Sequence, residues 1–196
     1  IAGVESNYGI HHSQYSVFNS LYSQIHDMPR RSKWATKELA EVLEYCFNDK
    51  LDTQEIGGSY AGAFGFGQFI PSSFTRYSVD FNSNGVREPY SWPDVLGSIA
   101  NYLRMNGYGP NSSDYSKEGD IYKSVFAYNH ADNYVMAVLE LTEKIRERVT
   151  GKKGRSIDYS KEAKGFQEAF AKAREELGPN AVFIWNNKRF STNISK

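Results

Sequence analysis

The segment GGSYAGAFGFGQFIPSS, residues 57–73, is the most informative stretch of this sequence. Five of its first eleven residues are glycine, a poor helix former, so this glycine-rich segment is not predicted to be a free-standing helix. Small residues here would let two stretches of backbone pack closely, or let a ligand approach the backbone. Pro71 suits the first turn of a helix, and we predict a helix that continues through Tyr77.

Three helices are predicted on the N-terminal side of the glycine-rich segment. Residues 1–8 form a short helix that ends at Gly9, and a second helix precedes Pro29. Ser32 is a suitable cap for the third helix. The apolar residues at helical spacing are Phe18, Leu21, Tyr22 and Ile25 in the second helix, and Leu39, Val42, Leu43, Cys46 and Phe47 in the third. Cys46 is the only cysteine, so it is predicted to be buried and cannot form an internal disulfide.

The C-terminal side begins with a polar loop at 80–94 and continues in helices. Ser91 and Asp94 resemble a capping box at the start of the first helix. Two further helices are predicted around 119–128 and 132–149. The stretch GKKGRSID at 151–158 is typical of a linker.

The residues after this linker are predicted to form a small appendage. Phe166, Phe170, Ala173 and Leu177 recur at helical spacing and predict an amphipathic helix. The stretch VFIWNNKRFST at 182–192 predicts a β-hairpin that turns at Asn186-Asn187, because asparagine tolerates positive φ. We therefore expect a mainly α-helical protein with a helical domain over residues 1–150. Residues 151–196 would add a linker, a helix and a hairpin.

Charge and hydropathy exclude several classes of partner. Lys plus Arg and Asp plus Glu number 23 each, so nothing suggests binding to nucleic acid. No stretch is long and apolar enough to span a membrane. The chain opens directly on IAGVESNYG, which is predicted to be helical, and no signal peptide is visible. We therefore expect a fragment or processed form that lacks its N-terminal targeting region.

Six segments in a fixed order carry a resemblance to a known family. They are IAGVESNYG at 1–9, MPRR at 28–31, GSYAGAFGFGQFIPSS at 58–73, VDFNSNG at 79–85, DVLGSIANYL at 94–103 and YNHADNYVMAVL at 128–139. Together they closely resemble the membrane-bound lytic transglycosylase B family, over about residues 1–148. The resemblance implies a lysozyme-like helical domain. It also implies an enzyme that cleaves the MurNAc–GlcNAc β-1,4 bond of peptidoglycan and leaves a 1,6-anhydroMurNAc end.

The resemblance also implies the site residues. The glutamate of the family's GVE motif is the catalytic acid, and here it is Glu5. The residues that would bind the glycan are Arg30, Arg31, Ser59, Gln68, Tyr102, Tyr128, Asn129 and Tyr134. The implied enzyme requires no cofactor. Its partners would be peptidoglycan glycan strands in the bacterial cell envelope, periplasmic or associated with the outer membrane, with cell-wall machinery as a further candidate. We expect a monomer.

These residue types suit the implied chemistry. Most glycosidases use two carboxylates, but here the N-acetyl group of MurNAc would replace the second one. The single acid would then act as a base and remove the proton from the C6 hydroxyl of the same sugar. Such a site needs one glutamate in an apolar, Tyr-rich pocket together with neutral hydrogen-bond donors. Arg30 and Arg31 could bind lactyl or peptide carboxylates.

Each of these residues also has a structural interpretation. Glu5 could be a solvated first-turn residue that interacts with the helix dipole. Ser59 and Gln68 could satisfy backbone groups of the glycine-rich segment. Arg30 and Arg31 could be a solvated loop pair, and Tyr102 and Tyr128 could belong to the core.

The polar loop carries a candidate calcium site. Residues 80–86, DFNSNGV, resemble the start of an EF-hand loop. Ser91 stands at the twelfth position, where glutamate is usual, and the resemblance implies that Asp94 closes a slightly longer loop. The ligands would be Asp80, Asn82, Asn84, Val86 and Asp94, and binding would be weak, with a Kd of roughly millimolar. The alternative is an Asx-rich turn in which Asp94 caps the following helix.

Three other functions remain open at this stage. A hydrolytic lysozyme would need a second carboxylate to hold a water, and Asp52 and Glu55 are the candidates. A non-catalytic peptidoglycan-binding or scaffold protein would not need Glu5. A calcium sensor is disfavoured, because its EF-hands usually come in pairs. The four histidines show no common metal-binding spacing. The tail after residue 150 loosely resembles C-terminal segments of some phage and bacterial murein-cleaving proteins, and we assign it no activity.

Overall fold

A computed structural model describes residues 1–112, 114–150, 158–177 and 182–192. The chain divides into two compact units, Ile1–Tyr102 and Leu103–Lys196. Helices dominate both units, which confirms the prediction of a mainly α-helical protein. None of the helices in these ranges is long and apolar enough to cross a membrane. The predicted boundary at residue 150 stays a prediction, because 151–157 lie outside the described residues.

The first unit contains a bundle of helices and one very small sheet. Its elements, in chain order, are α1 (Ala2–Ser6), β1 (Tyr15–Ser16), α2 (Val17–Asp27), α3 (Pro29–Asp49), β2 (Gly57–Gly58), α4 (Pro71–Tyr77) and the greater part of α5 (Trp92–Met105). Strands β1 and β2 pair antiparallel, with Tyr15 opposite Gly58. This pairing attaches the start of the glycine-rich segment to the start of α2.

The long helix α3 differs from its prediction at its start and on its apolar face. It begins at Pro29 rather than after Ser32, because proline is suited to the first helical turn. Its buried residues are Ala35, Glu38, Val42, Tyr45 and Cys46. Phe47 is 84% exposed and Leu43 41% exposed, so the predicted stripe is wrong at these two positions. Both lie about one residue, or 100°, around the helix from the buried face.

Helix α4 runs over Pro71–Tyr77, as predicted, but a distant residue caps it. Glu38 of α3 is buried, and its carboxylate accepts the backbone N–H and the hydroxyl of Ser72, both at 2.8 Å. A negative charge at a helix N-terminus interacts favourably with the helix dipole and with the unpaired N–H groups there. Glu38 therefore connects α3 to the end of the glycine-rich segment.

The second unit holds two helices and the appendage. Its elements are α6 (Asp120–Tyr128), α7 (Asp132–Thr150), α8 (Phe166–Leu177), β3 (Val182–Trp185) and β4 (Lys188–Ser191). Strands β3 and β4 form the predicted hairpin, and Asn186 and Asn187 both have positive φ, at 49° and 59°. Two positive φ values in a two-residue loop define a type I′ turn.

The appendage has a hydrophobic core made from its own residues. Tyr159, Ala169, Ala173 and Phe183 are fully buried together. Asp158 also forms an isolated parallel bridge to Ile184 of β3. The predicted helix and hairpin are both present, and they pack together through this core.

Candidate active site

Glu5 lies half-buried in α1, a helix too short to be stable in isolation. The neighbouring residue, Ser6, holds this helix in place. Ser6 is 1% exposed, and its hydroxyl lies 2.8 Å from the carbonyl oxygen of Phe66 and 3.1 Å from that of Ala2. The same oxygen accepts the backbone N–H of Gly9 at 3.0 Å. The helix that carries Glu5 is thereby fastened to the glycine-rich segment.

The chain turns sharply after α1 and contacts Phe66 a second time. Asn7, Tyr8 and Gly9 all have positive φ, which reverses the backbone direction. A Cβ atom on Gly9 would lie 3.0–3.2 Å from three atoms of the Phe66 ring. Glycine at this position therefore lets the aromatic ring pack against the turn.

The glycine-rich segment folds back on itself and is not helical, as predicted. The backbone groups of Phe64 and Phe69 form two mutual hydrogen bonds of 2.9 and 3.1 Å. A Cβ atom on Gly58 would lie only 2.2 Å from the carbonyl oxygen of Ala63. Two stretches of backbone therefore pack closely here, as the small residues of this segment predict.

Ser59 and Gln68 both use their side chains to satisfy this backbone. The Ser59 hydroxyl accepts the N–H of Ala63 at 3.2 Å. The amide nitrogen of Gln68 donates to the carbonyl oxygens of Gly65 at 2.9 Å and His12 at 3.4 Å. The structural interpretation of these two residues is thus observed, and their binding to a glycan stays a prediction.

An aromatic cluster surrounds Phe66, and sequence reasoning missed it. The Phe66 ring centroid lies 4.8 Å from the rings of both His12 and Trp92 and 5.9 Å from that of Tyr90. Burial raises the pKa of Tyr90 to about 12, so its hydroxyl stays protonated and donates to the carbonyl oxygen of Gly57 at 2.6 Å. The cluster comes from three separate parts of the chain, and only Tyr90 and Trp92 are close to each other in the sequence.

The two predicted arginines lie in the first turn of α3 and not in a loop. Arg30 and Arg31 are both exposed. The Arg31 guanidinium carbon lies 4.3 Å from the centroid of the Trp34 ring, which is cation–π geometry. This contact orients Arg31 and leaves its guanidinium accessible to solvent.

The predicted tyrosines fall in both units. Tyr102 is 9% exposed in the first unit, where its ring packs 4.4 Å from that of Tyr77, and burial raises its pKa. In the second unit, Tyr134 of α7 is 8% exposed, Tyr128 is half-buried and Asn129 is exposed directly after α6. The burial of Tyr102 is compatible with the interpretation that it belongs to the core. The glycan-binding role of Tyr102, Tyr128, Asn129 and Tyr134 stays a prediction.

The polar loop is held in shape by hydrogen bonds between its own side chains and backbone. The Asp80 carboxylate accepts the N–H groups of Asn84 at 3.1 Å and Gly85 at 2.8 Å, and Gly85 has a φ of 92°. The Asn84 side chain accepts from Val86 at 2.9 Å and donates to Glu88 at 2.8 Å. Glu88, at the ninth loop position, was not predicted as part of the site. Within the described ranges, no three His, Cys, Asp or Glu side chains form a group that could hold a metal ion.

Asp94 has a different role from the predicted capping box. It is 1% exposed, and its carboxylate accepts the N–H groups of Phe81 at 2.9 Å, Asn82 at 3.3 Å and Glu88 at 2.9 Å. A capping box would have required a bond back to the backbone of Ser91, so that prediction is wrong. The Asp94 side chain instead holds the two ends of the loop together by accepting backbone N–H groups of the loop.

Removing the Ser6 hydroxyl should destabilise the site. In Ser6→Ala, the part-buried carbonyl of Phe66 and the N–H of Gly9 lose their partner, and we expect the free energy of unfolding to fall by about 1–3 kcal/mol. Urea denaturation followed by circular dichroism measures this change. Ser23→Ala, on the exposed side of α2, is the matched control. Equal stabilities of the two variants would contradict the anchoring role of Ser6.

Comparison with known proteins shows the family to which this chain belongs. The family model described as "Transglycosylase SLT domain" matches residues 1–117. The chain is 34% identical over 108 residues to membrane-bound lytic murein transglycosylase B of Escherichia coli (strain K12), a match that covers 55% of this chain and 30% of that protein. The chain belongs to the transglycosylase SLT domain family, and the resemblance found in its sequence is confirmed.

Solved structures of lytic transglycosylases share the fold. Soluble SltB1 from Pseudomonas aeruginosa has a TM-score of 0.69 and 27% identity, over 77% of this chain and 69% of that one. Escherichia coli SLT35 in complex with calcium has a TM-score of 0.68 and 24% identity, over 76% and 65%. Pseudomonas aeruginosa SltB3 in complex with NAG-anhNAM-pentapeptide has a TM-score of 0.65 and 23% identity, over 74% and 54%. The chain thus spans only part of the length of its relatives.

Proposed function

We propose that this chain is a peptidoglycan lytic transglycosylase that uses Glu5 as its single acid and base. It cleaves the MurNAc–GlcNAc β-1,4 bond and leaves a 1,6-anhydroMurNAc end. The observation that carries the proposal is the placement of Glu5, on a short helix fastened through Ser6 to the glycine-rich segment. Family membership supports the same activity.

The proposed reaction needs one group that first gives and then takes a proton. The Glu5 carboxyl protonates the glycosidic oxygen as the bond to the anomeric carbon breaks. The N-acetyl group of MurNAc stabilises the positive charge that develops on that carbon. The Glu5 carboxylate then removes the proton of the C6 hydroxyl, whose oxygen attacks the anomeric carbon of the same ring. No water is consumed, and Glu5 ends in its starting protonation state.

The candidate second carboxylates for a hydrolase have unsuitable surroundings. Asp52 and Glu55 are both exposed, in a turn directly after α3. The Asp52 carboxylate accepts the backbone N–H of Gln54 at 2.8 Å, which is the local bond of an Asx turn. Neither residue is held by a buried contact that would position it over a substrate. This favours the transglycosylase over the lysozyme alternative.

The residues of the glycan site remain part of this proposal. Arg31, oriented by Trp34, and Arg30 would bind lactyl or peptide carboxylates. Ser59 and Gln68 would offer neutral polar atoms from the glycine-rich segment. In the same proposal, the sugar rings would contact Tyr102, Tyr128, Asn129 and Tyr134. The complex of SltB3 with NAG-anhNAM-pentapeptide, a muropeptide of the anhydro type, supports the substrate class.

Calcium binding by the polar loop is a second, separate proposal. The ligands would be Asp80, Asn82, Asn84, Val86 and Asp94. The positive φ of Gly85 and the hydrogen bonds of Asp80 give the loop its EF-hand-like shape, and the relative SLT35 was solved with calcium. Asp94 already accepts three backbone N–H groups, so an ion would compete with them, which supports weak binding. The ion has no part in the catalytic steps.

The proposed cellular location is the bacterial envelope. It rests on the substrate class and on the relative whose name is membrane-bound lytic murein transglycosylase B. The glycan strands of peptidoglycan are the proposed partners, and the chain is proposed to act as a monomer.

The products of the reaction test the proposed function. Purified murein sacculi digested with the protein should yield mainly 1,6-anhydro-muropeptides, because an internal hydroxyl held close to the anomeric carbon reacts far faster than water. Mass spectrometry before and after borohydride reduction separates the two outcomes, since only a reducing-end sugar is altered. A parallel digest with a hydrolytic lysozyme supplies the reducing-end standard. Mostly reducing-end MurNAc, or chitin cleaved as readily as murein, would identify a hydrolase instead.

A further inference from the structure

The second unit has a depression that the proposed catalytic mechanism does not use. Its volume is about 370 Å³, within the range of small-ligand sites. One face of α6 and the residues just before and after that helix line it, and the lining residues are Lys117, Tyr122, Lys123, Phe126, Ala127, His130 and Asp132. None of these is among the predicted glycan-binding residues.

One wall of the depression is aromatic. The rings of Tyr122 and Phe126 are nearly parallel, with an interplanar angle of 17° and centroids 6.3 Å apart. The His130 ring meets Phe126 edge to face at 5.3 Å. Tyr122 and Phe126 lie one turn apart on α6, and His130 follows two residues beyond the end of the helix, so the three rings form a contiguous row. This row presents an apolar surface to small aliphatic groups of a ligand.

The side chains that line the depression include more cationic than anionic groups. Asp132 accepts the Tyr122 hydroxyl at 2.6 Å and forms an ion pair with Lys117. The Lys117 ammonium, followed by the Tyr122 hydroxyl, lowers the pKa of Asp132, so this carboxylate stays ionised and neutralises Lys117. Lys123 is exposed, and no carboxylate among the described residues forms an ion pair with it. The depression therefore carries a net positive charge beside its aromatic wall.

We propose that this depression binds the acidic stem peptide that peptidoglycan carries on its MurNAc residues. The inference rests on the proposed function, because the peptide belongs to that substrate. Stem peptides combine alanine methyl groups with free carboxylates, and these match the apolar row and the Lys123 ammonium. The site would discriminate between glycan strands that carry peptides and strands from which an amidase has removed them, which keep only the lactyl carboxylate.

Steady-state kinetics of the full chain on these two substrates test the inference. For the wild type, KM should be lower for peptide-bearing strands than for stripped strands. Lys123→Glu should raise KM for peptide-bearing strands about fivefold, since charge reversal turns a weak attraction into repulsion. Its KM for stripped strands and its kcat on both substrates should change less than twofold. Lys123→Arg should restore the wild-type KM.

The controls separate this inference from the proposed function. Lys161→Glu has the same change in charge at an exposed lysine of the appendage and should leave KM unchanged. Lys123 is exposed, so its variants should fold, as circular dichroism will verify. If the wild type cleaves both substrates with equal KM, or if Lys123→Glu and Lys161→Glu behave alike, the depression does not bind the stem peptide. If the wild type cleaves neither substrate, the proposed function itself fails.

Discussion

Replacement of Glu5 by glutamine should lower murein cleavage by about a thousandfold or more, because an amide cannot deliver the proton that the leaving oxygen needs. Glutamine has nearly the same shape as glutamate, so Ser6 and Phe66 keep their contacts and the melting temperature should stay within a few degrees of the wild type. Release of soluble muropeptides from labelled sacculi measures the rate.

Glu55→Gln is the matched control for this experiment. It makes the same chemical change at an exposed glutamate in the turn after α3. Under the proposed mechanism, Glu55→Gln should retain the wild-type rate within about twofold, because surface changes away from the site have small effects. Loss of activity in Glu55→Gln would favour a two-carboxylate hydrolase. A Glu5→Gln variant that remains active, with an unchanged melting curve, would refute the assignment of Glu5.

The second large effect is expected for Asp94→Ala. Three backbone N–H groups, those of Phe81, Asn82 and Glu88, would lose their acceptor in a part-buried position. Each unsatisfied buried group costs about 1–3 kcal/mol, and partial access of water would reduce the total, so we expect a loss of about 3 kcal/mol. For a chain of this length, this lowers the melting temperature by roughly 10 °C. Thermal melting in the presence of a chelator measures the loss without any contribution from calcium.

Variants and calcium then separate the two roles of Asp94. Asp94→Asn keeps one acceptor oxygen and should lose less stability than Asp94→Ala, whereas Asp27→Ala, at an exposed position in α2, should lose little. Millimolar calcium should raise the melting temperature of the wild type, because only the folded loop gathers the ligands. Asp80→Ala should abolish that increase. If Asp94→Ala is as stable as the wild type in chelator, the hydrogen bonds from the loop backbone to Asp94 do not stabilise the protein. If calcium does not change the melting temperature of the wild type, the loop is an Asx-rich turn and not a calcium site.

Local signals predicted the elements whose geometry is set by neighbouring residues. Pro71 favours a helical first turn, and α4 begins there. Asn186 and Asn187 tolerate positive φ, and the hairpin turns at them. By contrast, hydrophobicity could not show which apolar side of α3 is buried, because Val42 and Phe47 are both apolar and only contact with the rest of the unit distinguishes them.

The contacts that build the site could not be predicted, because they join distant parts of the chain. Ser6 bonds to Phe66 across 60 positions, and Glu38 caps the helix that starts 33 residues later. Neither serine nor glutamate has a local pattern that reveals such a partner. The resemblance implies that Glu5 is the catalytic acid, which stays a prediction, and only the structure shows how the helix that carries Glu5 is held.

The separate core of the appendage affects how the unfolding of this protein is to be monitored. Trp34 and Trp92 lie in the first unit, while Trp185 lies in the appendage, where its ring packs 5.8 Å from that of Phe166. Intrinsic fluorescence therefore adds signals from two hydrophobic cores. A single fitted transition would be meaningful only if fluorescence and calorimetry give the same midpoint and enthalpy. A Trp185→Phe chain would remove the appendage from the optical signal and leave only the emission of Trp34 and Trp92 in the first unit.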